Sequence, residues 1–215
     1  MPLIVDRLDL EALGASAIHR LAIPLAYDGL GQPVHAPLLV AKGKKEGPVL
    51  LLTAAIHGNE LNGIGVIHRL FCDLDPSKLA GAIVGVCVAN IPAFHRRHRL
   101  MEDGFDLNHK FPGREDGSLA ERYAHELLDR IVQHGDALLD LHTASTGRVN
   151  SLYVRADMTN EQVARMAYLQ RPQVIVHNPA ADQTLRGAAE DLGIPAITVE
   201  IGNPQRLTRP MIRDT

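Results

Sequence analysis

Four short runs constrain this chain most: VLLLTAAI (49–56), AIVGVCVAN (82–90), ALLDLHT (137–143) and AITVEIG (196–202). Each is dominated by Val, Leu, Ile and Ala, and polar residues gather near its carboxyl end. Strands buried on both faces read this way, and such strands belong to parallel sheets covered by helices. Helical patterns separate them. Leu61, Ile64, Val66, Ile67, Leu70 and Phe71 give one apolar side to a helix over about 59–72. Ser118 followed by Glu121 is a capping-box pattern for a helix through Gln133, which His134 and Gly135 close. Further helices are expected near 160–170 and 184–192, and strands at SLYVRA (151–156) and QVIVHN (173–178). Residues 17–42 read as an antiparallel edge hairpin turned at DGLGQ. This alternation predicts an α/β fold, a three-layer sandwich with a mixed, mainly parallel central sheet. With 215 residues, 46% of them hydrophobic, residues 1–215 are expected to form one domain.

Composition narrows the function classes. Lys and Arg number 22 against 25 Asp and Glu, for a net charge of −3. With no long basic run and few aromatics, nucleic acid is excluded as the expected partner. The opening MPLIVDRLDL lacks the basic-then-apolar order of a signal peptide, and no apolar run is long enough to span a bilayer. The expected setting is therefore cytoplasmic, with no membrane partner. Cys72 and Cys87 lie in apolar stretches without a framework pattern and read as reduced thiols rather than metal ligands.

In open α/β sheets, ligands bind beyond the carboxyl ends of the strands. After VLLLTAAI comes His57-Gly58-Asn59-Glu60, with the glycine expected to permit a sharp exit and the glutamate to enter the next helix's first turn. A histidine and a carboxylate at that spacing can converge on one ion, and His142, after ALLDL, can supply a third ligand. Two histidines and a carboxylate leave a fourth position open for water, the pattern of catalytic zinc. Read singly, these residues have plainer roles: His57 as a strand-end histidine, Glu60 as an acid favouring a helix N-terminus, Asp106 and Asn108 as turn formers. Residues 91–117 form a polar, Gly- and Pro-punctuated connection longer than compact domains usually tolerate, and such loops are commonly functional.

The motifs HGNE, DLN (Asp106–Asn108), FPG (Phe111–Gly113), DLHT (Asp140–Thr143) and VEIG (Val199–Gly202), in that order, resemble the succinylglutamate desuccinylase/aspartoacylase family of the zinc carboxypeptidase superfamily. The resemblance implies one Zn2+ per chain held by His57, Glu60 and His142. It implies Glu200 as general base and acid, Asp106 as a carboxylate orienting a zinc-bound histidine, and Arg99 as the oxyanion partner, with Arg96, Arg97 and His98 competing for that role. The substrate implied is a small N-acyl amino acid or amine, hydrolysed at its amide. A peptide-cleaving metallocarboxypeptidase and a zinc-binding module without catalysis are the alternatives. Asn108 and His109 are expected at the substrate. His109 stands where relatives most often carry an arginine that clamps a substrate carboxylate, and imidazole cannot supply that permanent, two-pronged charge. The chain stops soon after Glu200, so the family's C-terminal β domain is expected to be absent or truncated, with exposed strand edges favouring a homo-oligomer.

Overall fold

A computed structural model describes residues 1–180 and 183–215. Its strands are β1 (Leu3–Ile4), β2 (Ala17–Tyr27), β3 (Pro33–Lys42), β4 (Lys45–Ala54), β5 (Ala80–Val86), β6 (Ala137–His142), β7 (Leu152–Ala156), β8 (Val174–His177) and β9 (Ala196–Ile201). The helices are α1 (Asn62–Asp73), α2 (Ile91–His95), α3 (Leu119–Arg130), α4 (Glu161–Leu169), α5 (Leu185–Asp191) and α6 (Arg209–Asp214). The strands form one sheet in the order β1-β2-β3-β5-β4-β6-β9-β7-β8. Strands β5, β4, β6 and β9 run parallel. The β2–β3 hairpin joins them antiparallel through β3, and on the other side β7 is antiparallel to β9 and parallel to β8.

Strand periodicity places a core on each face of this sheet. Leu51 and Leu138 point to one side, packing with Tyr123, Leu127 and Leu185 from α3 and α5. Their neighbours Leu52 and Leu139 point to the other, with Ile67, Phe71 and Val163 from α1 and α4. The three expected layers are present, and each fully buried leucine contributes about 1.5–3 kcal/mol relative to exposure.

Local chemistry sets the boundaries. Ser118 Oγ accepts from Glu121 N at 3.3 Å and Glu121 Oε2 accepts from Ser118 N at 2.8 Å, closing the predicted capping box. The connection 91–117 is more ordered than its composition suggests: Asn90 Oδ1 caps α2 by accepting from Ala93 N at 3.1 Å. Leu107–His109 form a 3-10 turn, and Met101, Leu107 and Phe111 anchor the loop in the core. Strand β1 and helix α6 also lie outside the predicted elements. Among the described residues, no helix is long and apolar enough to cross a membrane.

The parallel register has one further consequence. Leu52 pairs with Leu139 and His142 pairs with Glu200, so the carboxyl ends of β4, β6 and β9 meet along one edge of the sheet.

Candidate metal centre

His57 and Glu60 leave β4 through a sharp turn. Ala55 adopts φ 54°, the left-handed region, sending Ile56 into the core and His57 toward the sheet edge. The turn is therefore made by Ala55. Gly58 is required for a different reason: a Cβ there would lie 2.0 Å from the Ala93 carbonyl carbon, against the backbone of α2. Helix α1 begins only at Asn62 with no acidic residue in its first turn, so Glu60 precedes the helix rather than entering it. Instead, Glu60 Oε1 lies 2.8 Å from His57 Nδ1 and Oε2 lies 3.1 Å from His142 Nδ1. Glu60 Oε2 also accepts from Thr143 N at 2.9 Å. His57, Glu60 and His142 each offer a buried ligand atom within 4.8 Å of the others, a group able to hold a metal ion.

The imidazoles are oriented from behind. His57 Nε2 contacts Asp106 Oδ1 at 3.0 Å, and His142 Nε2 contacts Asp140 Oδ2 at 2.7 Å. A ring that gives up its Nδ1 proton to an ion would keep Nε2–H donating to its carboxylate, with the Nδ1 lone pair aimed at the shared point; with Nδ1 protonated, the same atom donates to Glu60. Asp140 is itself fixed by Thr53 Oγ1, which donates to its Oδ1 at 2.7 Å. Burial opposes charge on Glu60, but hydrogen bonds and charge from His142 and His57 outweigh it and bring its carboxyl to about 2. Burial likewise opposes charge on Asp106, and the His57 contact with the Arg99 charge holds it well below the usual carboxylate range. His142 is pushed well above the ordinary histidine value, because Asp140 and Glu60 overcome the effect of burial. Three anions thus surround two imidazoles, and the donor set fits a divalent cation.

Arg99 alone of the three candidate arginines reaches the cluster; Arg96 and Arg97 are exposed. Its Nη2 lies 2.9 Å from Asp106 Oδ2 and its Nη1 lies 3.2 Å from Glu60 Oε1. Glu200, 8% exposed, accepts from Asn150 Nδ2 at 3.3 Å, and burial raises its carboxyl pKa. Asn108 lines the same cavity while its Oδ1 accepts from Leu185 N at 2.9 Å, steadying the start of α5. His109 lines the cavity too, whereas Lys110 Nζ sits 4.0 Å over the Phe105 ring.

That cavity measures about 330 Å³ and brings together every expected site residue except Asp106, which stands behind His57. It also contains residues that sequence reasoning did not select: Ser145, Asn150, Tyr153, Arg155 and Arg186. Asp140, behind His142, was missed as well. Asp140 had a signal, since it lies two positions before His142 on one strand and so shares its face. Arg155 had none without knowing that β7 neighbours β9.

A three-layer α/β scaffold with a buried metal-ligand group at the ends of its parallel strands defines the broad class of this chain, an α/β protein with a candidate metal site. Comparison gives the particular one: the chain belongs to the succinylglutamate desuccinylase/aspartoacylase family, whose catalytic-domain model matches residues 46–215. It is 35% identical over 125 residues to N-alpha-acetyl-L-2,4-diaminobutyric acid deacetylase of Halomonas elongata, covering 57% of this chain and 36% of that protein. It is 33% identical over 174 residues to succinylglutamate desuccinylase of Pseudomonas paraeruginosa, covering 74% of this chain and 52% of that one. A solved succinylglutamate desuccinylase/aspartoacylase structure from Rhodobacter sphaeroides superposes with a TM-score of 0.82 at 25% identity, covering 98% of this chain and 65% of that one. The chain thus spans about half, or less, of the length of these curated relatives.

Proposed function

We propose that residues 1–215 form the catalytic unit of a zinc-dependent deacylase that hydrolyses the amide bond of a small N-acyl amino acid. The observation that carries this reading is the placement of Glu200 one strand from His142, beside a three-ligand cluster and in the same cavity. A group that only held a metal would not need a buried carboxylate there.

His57, Glu60 and His142 would hold the ion, with Asp106 and Asp140 fixing the two rings. A zinc ion held there supplies Lewis acidity, polarising a carbonyl and lowering the pKa of a water molecule to about 7. Glu200 takes a proton from the attacking water and passes it to the leaving nitrogen. Its burial favours the protonated form and so equips it to keep that proton between the two events. Arg99, beside Glu60 and Ser145, faces charge developing on the former carbonyl oxygen. Asn108 and His109 contribute to the substrate wall.

Size and charge support a small, anionic substrate. A cavity of about 330 Å³ is at the lower end for small-molecule sites and small for a peptide. Arg99, Arg148, Arg155 and Arg186 line it against the carboxylates Glu60 and Glu200. Cys72 and Cys87 are both free thiols, in keeping with a cytoplasmic setting.

The test is metal analysis of the purified chain, followed by a panel of N-acetyl and N-succinyl amino acids assayed with and without chelator. About one zinc per chain and chelator-sensitive amide hydrolysis are expected. A chain that takes up no zinc, or that hydrolyses the panel equally well after complete metal removal, refutes the reading.

A further inference from the structure

Strand β7 lines the cavity through Tyr153 and Arg155, and its antiparallel pairing with β9 sets these two side chains beside Glu200. Tyr153 is the register partner of Glu200 and Arg155 that of Thr198, so all four share one face. Across the sheet the order is therefore His142 on β6, Glu200 on β9, then Tyr153 and Arg155 on β7. Neighbouring strands lie about 4.8 Å apart.

This spacing matches the order of groups in an N-acyl amino acid. The scissile carbonyl belongs at the histidines, and the leaving nitrogen belongs at Glu200, which protonates it. The α-carboxylate, separated from that nitrogen by a single carbon, then falls on β7. We propose that Arg155 is the specificity-determining residue that binds this α-carboxylate; the proposal rests on the deacylase reading for the direction in which the substrate lies.

Arg155 is built for the task. Its Nε and Nη2 both donate to Tyr153 Oη, at 3.2 and 2.8 Å, and its guanidinium carbon stands 5.6 Å from the centre of the Tyr153 ring. The plane is thereby oriented before any ligand arrives. No hydrogen bond engages Nη1 among the described residues, and the side chain is 47% exposed at the cavity wall. Arg186 is a poorer candidate: it is buried, and its Nη1 and Nη2 donate to the carbonyl and side-chain oxygens of Asn178 at 2.7 and 2.8 Å. Arg155 also explains how an acid can be recognised with His109 in the cavity lining, since the permanent charge enters from strand β7.

The competing role is that of a counter-ion to Glu200, whose Oε1 lies 3.6 Å from Arg155 Nε. The two roles differ in what they do to uncharged substrates. Matched pairs serve as probes: N-acetyl-L-alanine with N-acetyl-L-alaninamide, and N-acetyl-L-glutamate with N-acetyl-L-isoglutamine, in which only the α-carboxylate becomes an amide. Equilibrium binding and, where turnover occurs, kcat and KM are measured for the zinc-loaded parent, Arg155→Gln and Arg155→Lys, with melting curves as a folding control.

Arg155→Gln is expected to weaken binding of the carboxylate member by about 10- to 100-fold. The amide member should lose less, so that the preference for the carboxylate over the amide falls by about that factor whatever the variant does to kcat through Glu200, and Arg155→Lys should recover part of the preference. An equal loss for both members would make Arg155 a counter-ion, and no loss, or a parent without preference for the carboxylate, would equally overturn the assignment. Because binding is read separately from turnover, a parent that binds carboxylates through Arg155 yet hydrolyses none would defeat the deacylase reading alone. Hydrolysis of both members with equal KM would defeat the carboxylate assignment alone.

Discussion

A buried carboxylate is tolerated only where something needs or neutralises its charge, and the site contains two solutions to that problem. Glu60 is stabilised as an anion by the rings of His142 and His57, which suits a ligand that must stay deprotonated. Glu200 has weaker partners, an amide at 3.3 Å and a guanidinium at 3.6 Å, and burial raises its pKa, which suits a group that must gain and lose a proton. Replacing Glu200 by Gln should preserve metal content while lowering kcat by about 10²- to 10⁴-fold; metal analysis and steady-state kinetics on one preparation would check both, and parent-like turnover would remove Glu200 from the chemistry. Asp140 allows a test that leaves every ligand in place. Asp140→Asn keeps the shape but removes the anion behind His142, so zinc affinity should fall by about 10- to 100-fold in a chelator competition. Unchanged affinity would mean that the 2.7 Å contact orients nothing that matters.

The turn from β4 to α1 shows what a four-residue motif needs from its surroundings. Ala55 occupies a backbone region costly for residues with a Cβ, while Gly58 sits where no side chain fits. Ala55→Gly should therefore retain the fold and zinc binding, because glycine enters that conformation freely. Gly58→Ala forces a methyl group into the backbone of α2 and should lower the melting temperature and cost at least about 1–3 kcal/mol; a Gly58→Ala protein as stable and as zinc-competent as its parent would show that this approach relaxes freely. Sequence alone reached the motif but assigned the turn to Gly58, because a positive φ at alanine leaves no compositional trace. The capping box of α3 was legible for the opposite reason: Ser118 and Glu121 act through neighbouring backbone groups, so spacing alone specifies them. In 91–117 the apolar anchors Met101, Leu107 and Phe111 follow no period, which hid their order.

The fold has two apolar cores, one on each face of the sheet, and neither includes the metal-ligand group. Strands β4, β6 and β9 were legible because their central residues are apolar on both faces; the antiparallel insertion of β7, and with it Arg155, required partner choice that a single strand's sequence does not encode. The separation of core from site determines what metal removal should do. Small zinc domains unfold without their ion because the ion replaces a core; this chain should stay folded and lose only the increment that binding supplies. At a free zinc concentration about 100-fold above Kd that increment is about 2.7 kcal/mol. For a chain of this size it corresponds to a rise in melting temperature of roughly 5–10 °C. Chelator should return the parent to a lower but still cooperative transition with native secondary structure, and the double variant His57→Ala, His142→Ala should melt near that lower temperature whether zinc is present or not. Scanning calorimetry with far-ultraviolet circular dichroism distinguishes the outcomes. Unfolding of the parent on chelation would make the ion part of the fold, and a full zinc-dependent rise in the double variant would place the ion elsewhere.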